Sequence, residues 1–418
     1  MEIPLNSAGR KRLVIGVAAG LFLVYIFLAG RLLAASFFGE KPELASLQRA
    51  ARLDPWNADY RNHLGRYYAL VARDPAASIA PYRNAVQLDP HSARYWFDLA
   101  STYQVLGDVS NQTLALEHAI EADPTTPDVA WEGANFFLVQ GDEAKALREF
   151  RVVLANEPTL ADPAIQFCWR INPDVDELLR DVVPARSEAY IAFLNLLMQK
   201  KETAATAKVW AALMATQQTF ELRYVYGYIQ YLFDQKDVEQ ARLVWQQAAP
   251  RFGLSAYVPS GRNLIVNGDF GLDVLNGGFD WQYEKQQSVT LTLDPSDFHS
   301  GHRSLLVAFD GPAVNDAGIR QFIAVEPDTL YDFSAYYKNG EFEGAGGPHL
   351  TIQDAYTQAV LYDSDELKEP GFWKSATGEF TTGADTRLLV LHIRRLPEGS
   401  PIRGKLWVDD FRLVPKRQ

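Results

Sequence analysis

The chain is 418 residues long, beyond the size of one ordinary hydrophobic core, so two or three domains are expected. Hydrophobic residues at 47% and charged residues at 22% are globular values, and the formal net charge of −12 argues against a nucleic-acid partner, which would require a basic face. A single cysteine, Cys168, excludes an intramolecular disulfide, and its neighbours Phe167 and Trp169 predict a buried, inert thiol.

The first element is apolar. Arg10, Lys11 and Arg12 precede LVIGVAAGLFLVYIFLAG, a stretch without a charge that would form about 27 Å of helix, close to the hydrocarbon thickness of a bilayer. Residues 1–12 read as a cytoplasmic basic tail and residues 13–36 as a transmembrane anchor, with Arg31 snorkelling to the interface. The expected location is a bacterial-type inner membrane, with the bulk of the chain periplasmic. Two other readings stand beside it: a cleaved signal peptide cut near LLAAS, and a soluble protein with an apolar first helix.

Past this segment an acid–proline pair recurs as Asp54-Pro55, Asp89-Pro90, Asp123-Pro124 and Glu157-Pro158, with prolines 35, 34 and 34 residues apart. Between them lie helical patterns such as Trp96, Leu99, Ala100 and Tyr103, then LGD, then Leu116 and Ala119. Small residues at Gly65, Ala100 and Ala134 allow close approach of paired helices, and the acid–proline pair stops each second helix, since proline lacks the N–H. On these residues the chain resembles the tetratricopeptide repeat family over about 42–257, which implies an all-α solenoid whose concave face takes a peptide or protein partner. The helical domain is expected over 40–257, with an interruption at RINPDVDELLRDVVPAR, where the pattern departs from the repeat.

From Asn263 the period changes to two. SVTLTLD, RSLLVAF and LYDFSAYYK alternate, the last placing Tyr331, Phe333, Ala335 and Tyr337 inward. RLLVLHIRR and GKLWVDDFRLV complete roughly nine to eleven short strands over 263–415, an all-β sandwich. This part carries 23 acidic and 14 basic side chains over 263–418, a net of −9, which leaves −3 for the rest. Pro259 and Gly261 in YVPSGRN read as a linker between separable cores.

NLIVNGDF, HSGHRSLLV, TLYDFSAYYK and GKLWVDDFRLV, in that order, resemble a carbohydrate-binding module of the galactose-binding-like jelly-roll type. The resemblance implies a concave sheet on which aromatic rings stack against sugars while polar side chains bond the hydroxyls. The residues it points to are Trp281, Tyr336, Tyr356 and Trp373, with Arg320, Gln353 and Arg394 as polar partners. Framework packing is the competing role for Trp281 and Trp373. It also implies a structural calcium held by Asp269, Asp409 and Asp410; a solvated-turn role competes, because Gly271 stands where the family has a further acid.

The seven histidines are scattered, no phosphate loop follows a strand, and anchor, solenoid and sandwich together leave no segment for a catalytic domain. The expectation is therefore a non-enzymatic, membrane-anchored adaptor that needs no cofactor, with a protein partner on the repeats and a polysaccharide on the sandwich, serving exopolysaccharide or cell-envelope assembly. The alternative is a structural scaffold whose sandwich is a protein–protein module.

Overall fold

The computed structural model describes residues 8–259, 263–311, 313–340, 342–368 and 371–416. Their contacts group them into two compact units, Met1–Phe193 and Leu194–Gln418.

The first unit opens with α1 (Ala8–Gly39), continuous through Gly16, Gly20 and Gly30. Residues 8–30 are exposed along their whole length, and packing starts at Arg31, with Ala35 and Gly39 buried. After a short turn α2 (Leu44–Leu53) folds back along α1, and the Arg31 Nε donates to the Leu53 carbonyl.

Helix pairs follow at the expected period: α3 (Ala58–Arg66) with α4 (Pro75–Leu88), α5 (Ala93–Leu106) with α6 (Val109–Ala122), and α7 (Pro127–Gln140) with α8 (Glu143–Asn156). The joints repeat too. Asp74, Asp108 and Asp142, each 34 residues from the next, accept from the N–H groups of Ala77, Asn111 and Lys145 and so cap each second helix. Gly107 and Gly141 end α5 and α7 at φ of 74° and 76°, where a side chain would be strained. Asp89, Asp123 and Glu157 leave the helical region at φ near −138°, −144° and −130°, the extended conformation required before proline. A Cβ on Gly65 would sit 2.5 Å from the Tyr82 ring, which explains the small residue there. Beyond α9 (Ala161–Ile171) the regular period stops. A single turn, α10 (Val175–Glu177), runs into a π-helical turn over Leu178–Val182, where the sequence departs from the repeat. Cys168 is fully buried, and burial pushes its thiol up to about 12. Helix α11 (Ser187–Lys200) crosses from the first unit to the second.

The second unit continues with α12 (Thr203–Ala215), α13 (Leu222–Asp234) and α14 (Val238–Ala248). Ten strands then follow: β1 (Gln282–Tyr283), β2 (Val289–Asp294), β3 (Ser304–Gly311), β4 (Asp316–Ala324), β5 (Leu330–Asn339), β6 (Gly347–Asp354), β7 (Val360–Asp363), β8 (Lys374–Thr381), β9 (Leu388–Leu396) and β10 (Ile402–Pro415). They make two antiparallel sheets ordered β1-β4-β9-β6-β7 and β2-β3-β10-β5-β8, the two-layer sandwich the alternation predicts. Tyr331, Phe333, Ala335 and Tyr337 all point into the core, with Leu350, Ile352, Leu391 and Leu406 opposite or beside them.

The segment NLIVNGDF adds no strand of its own. Asn263 holds it to β10 instead: its Oδ1 accepts from the Ile265 and Leu413 N–H groups, and its Nδ2 donates to the Phe411 carbonyl. Gln321, buried inside β4, closes the other side through paired bonds with the Val266 N–H and carbonyl.

Helices and sandwich are joined within this unit. Phe233 of α13 packs against Phe279 and Phe322, with ring centroids 5.3 Å apart in each case. Gly277 and Gly278 lie against Tyr226 and Trp245, where a Cβ would come within 2.5 and 3.1 Å of the rings. The Tyr257 hydroxyl donates to the Asp273 carbonyl across 2.8 Å. Residues 260–262 of the expected linker lie outside the described residues. The apolar contacts on either side of them place α12–α14 and the sandwich in one compact unit.

Candidate functional site

The outer face of the first sheet holds a polar cleft of about 430 Å³. Strand register builds it. Gln282 of β1 stands beside Arg320 of β4, which pairs with His392 of β9. One step along, Phe322, Val390 and Gln353 form the next row across β4, β9 and β6. Glu284, Gln286, Asp316 and Gln358 complete the lining.

The side chains hold one another in position. Arg320 pairs with Glu284 at 3.3 Å, and the Gln353 amide donates to the Gln358 carbonyl oxygen at 2.7 Å. The His392 Nδ1 lies 2.8 Å from an Asp316 oxygen, while its Nε2 is buried without a partner. Amide, carboxylate, guanidinium and imidazole groups thus line one cleft, a mixture of hydrogen-bond donors and acceptors. Phe322 alone supplies an aromatic surface to the lining.

The residues the sequence pointed to do not form one site. Arg320 and Gln353 lie in the cleft. Arg394 follows on the same face of β9 and pairs with Glu398 outside it. Trp281 is a core residue: it is 1% exposed, stacked on Phe270 and edge-on to Phe411, and its Nε1 donates to the Asn267 carbonyl. No face of its ring is free for a sugar. Tyr356 follows β6, with its hydroxyl donating to the Phe233 carbonyl at 3.0 Å and Lys236 5.2 Å above its ring. That tyrosine belongs to the helix contact.

Tyr336 lies on the other sheet, on the opposite outer face of the sandwich from Arg320, and Trp373 just precedes β8 of that sheet. Tyr336 is stacked under His299, with centroids 3.5 Å apart and planes inclined by 12°, while Trp373 donates to Asp297. A chain of alternating residues reveals which side chains face outward, but not which of two sheets a strand joins.

The acids Asp269, Asp409 and Asp410 do not gather as a cation site. No group of three or more His, Cys, Asp or Glu side chains among the described residues has metal-holding geometry. Asp409 is fully buried, and its oxygens accept from the N–H groups of His299, Ser300 and Asp410. Asp410 pairs with Arg412, and the exposed Asp269 accepts from the Gly271 N–H.

Gln282, Glu284, Gln286, Asp316, Gln358 and His392 were not legible as site residues from sequence. The outward alternation of His392 in LVLHIRR was a signal; strand pairing brings in Gln282 and Asp316, and the segments beside β1 and β6 bring in Glu284, Gln286 and Gln358.

Residues 262–396 match the carbohydrate binding domain family. Tetratricopeptide repeat protein 37 of Xenopus laevis is 28% identical over 123 residues, which is 29% of this chain and 8% of that protein. Among solved structures, a CBM4 module is 17% identical, with a TM-score of 0.28, over 36% of this chain and 99% of its own. MamA is 17% identical, with a TM-score of 0.25, over 41% of this chain and 85% of its own. The chain therefore carries a C-terminal carbohydrate-binding domain behind a helical region similar to tetratricopeptide repeat proteins.

Proposed function

We propose that the protein is a non-enzymatic adaptor held outside the membrane by α1, binding a polysaccharide in the cleft of the first sheet and a protein partner on its helical repeats. The observation that carries the sugar reading is the row of Gln282, Arg320 and His392, with Gln353 in the next row, across the open sheet face. Glu284 and Asp316 in the lining, together with the −9 charge over 263–418, disfavour an anionic polymer and favour a neutral or amino-sugar-containing one. With little stacking surface, binding is weak. Membrane attachment rests on α1, which among the described residues is the one helix long and apolar enough to cross a bilayer. The basic cluster Arg10–Arg12 in its first turns, ahead of the apolar span, supports a cytoplasmic N-terminus. Exopolysaccharide or envelope assembly is the setting such a combination suits.

A glycan array probed with the detergent-solubilised full chain tests the sugar reading. Arg320→Ala and Gln353→Ala should each weaken binding several-fold to about tenfold, equivalent to at most about 1.4 kcal/mol, with an unchanged melting temperature. Binding unaffected by both, or tight binding to a polyuronate, would abandon this site and ligand class. One observation favours the scaffold reading instead: Phe233 and Tyr356 make the Phe322 end of the same sheet face a protein contact already. Absence of any glycan signal would leave that reading in place.

A further inference from the structure

The geometry points to a lipid-facing surface on the first repeat: the turn carrying Trp56 rests in the bilayer interface beside α1. This inference rests on the membrane reading of α1 and adds to it a fixed orientation of the helical repeats on the lipid surface.

Three observations carry it. First, no linker separates the apolar span from the repeats. Helix α1 runs unbroken from Ala8 to Gly39, and its exposed apolar stretch ends at Gly30 just as packing on α2 begins. Second, the Arg31 side chain is bonded to the Leu53 carbonyl, which ties the end of α2 to the one charged residue inside the 13–36 anchor. Arg31 snorkels to the interface, so the Leu53 carbonyl that it reaches is near the lipid headgroups.

Third, Asp54-Pro55-Trp56 follow Leu53 directly, which keeps Trp56 near the level of Arg31. Three residues reach at most about 11 Å, comparable with the interfacial layer of roughly 5–8 Å on each side of the hydrocarbon. Trp56 is 83% exposed. An indole so exposed to water is costly, whereas at the interface its ring meets acyl chains and its N–H meets headgroups. The same position after the proline in later repeats holds His91, Thr125 and Thr159, so only the repeat against α1 carries tryptophan. Arg52, exposed on the last turn of α2, adds a positive charge suited to anionic headgroups.

Cysteine labelling tests this directly, because the native Cys168 is fully buried. Full-length Trp56→Cys, Arg52→Cys, Val105→Cys and Phe22→Cys, each carrying an environment-sensitive fluorophore, are reconstituted into phosphatidylcholine–phosphatidylglycerol vesicles. Val105 ends α5 at the far edge of its repeat, about 20 Å of helix from the turn at 89–92. Labels at 56 and 52 should show blue-shifted emission and quenching by headgroup-depth quenchers, with the label at 105 unshifted and the label at 22 quenched from the acyl region. Water-like emission at both 56 and 52 with position 22 in lipid would overturn the interfacial turn and leave the anchor standing. Water-like emission at 22 as well would overturn both. The Arg52 variant gives an independent reading if Trp56→Cys disturbs the turn.

Discussion

Asp280 has no solvent exposure, and its carboxyl is pushed up to about 7, burial being the main cause. One oxygen accepts from the Leu275 N–H and the other has no partner. Tyr226 of α13 and Tyr257 are the titratable groups beside it, both driven upward by burial and therefore neutral near pH 7. Because the folded carboxyl binds its proton more tightly than the unfolded one, the unfolded state releases a proton first as pH rises. Asp280 therefore contributes stability that is fully present below about pH 4 and falls by up to about 1.4 kcal/mol per pH unit toward pH 7, levelling off above it. Denaturation across that window should show the slope in the parent chain and a flatter profile in Asp280→Asn. An equal slope in both would mean that other groups set the dependence. The aromatic residues singled out from sequence make a second test at this scale. Trp281→Ala should cost about 3–5 kcal/mol as a core deletion, and Tyr336→Ala should lower the melting temperature by exposing His299 and the buried Asp409. Neither residue lies in the cleft, so glycan binding by the folded Tyr336→Ala protein should equal that of the parent.

At the scale of elements, the repeat joints were legible because each is local. An aspartate caps the helix that follows it and an acid–proline pair ends the one before, both within four residues. Strand alternation was legible for the same reason. The junction between helices and sandwich was not, since Phe233, Trp245 and Tyr226 read simply as core positions of their own helices. Their partners, Phe279, Phe322 and the Gly277–Gly278 pair, lie roughly 30 to 90 residues further on. A fragment starting at 260 would expose Phe279 and Phe322 and lose the Tyr356 and Tyr257 hydroxyl bonds. We expect it to melt lower and aggregate more readily than a fragment starting at 194, which retains α12–α14. Equal melting temperatures for the two would show that the helix contact contributes little and that the cores are separable as the linker composition suggested. Gly277→Leu in the longer fragment should reproduce part of the loss, because the Tyr226 ring has no room for a side chain there.

For the whole molecule, the positive cluster that precedes the apolar span predicts that residues 40–418 lie on the trans side of the membrane. Protease added to spheroplasts should remove them and leave a small embedded stub. Full protection would refute the orientation, and a soluble fragment lacking the apolar segment would favour a signal peptide. The sequence by itself determined the features that repeat over a few residues: the apolar span, the 34-residue helix pairs, the two-residue alternation of the sandwich and the resemblance its motifs carry. Each of these depends on backbone geometry with a fixed period, so neighbours in the chain suffice to read it. Only the tertiary structure decided which outward side chains share a face. Asp316 meets His392 across 76 residues, while Tyr336, just 16 residues from Arg320, belongs to the opposite sheet. Sheet membership is set by strand pairing between distant segments, and no local pattern encodes it. The same physics buries Asp409, whose carboxylate accepts from the N–H groups of His299 and Ser300, 110 and 109 residues away.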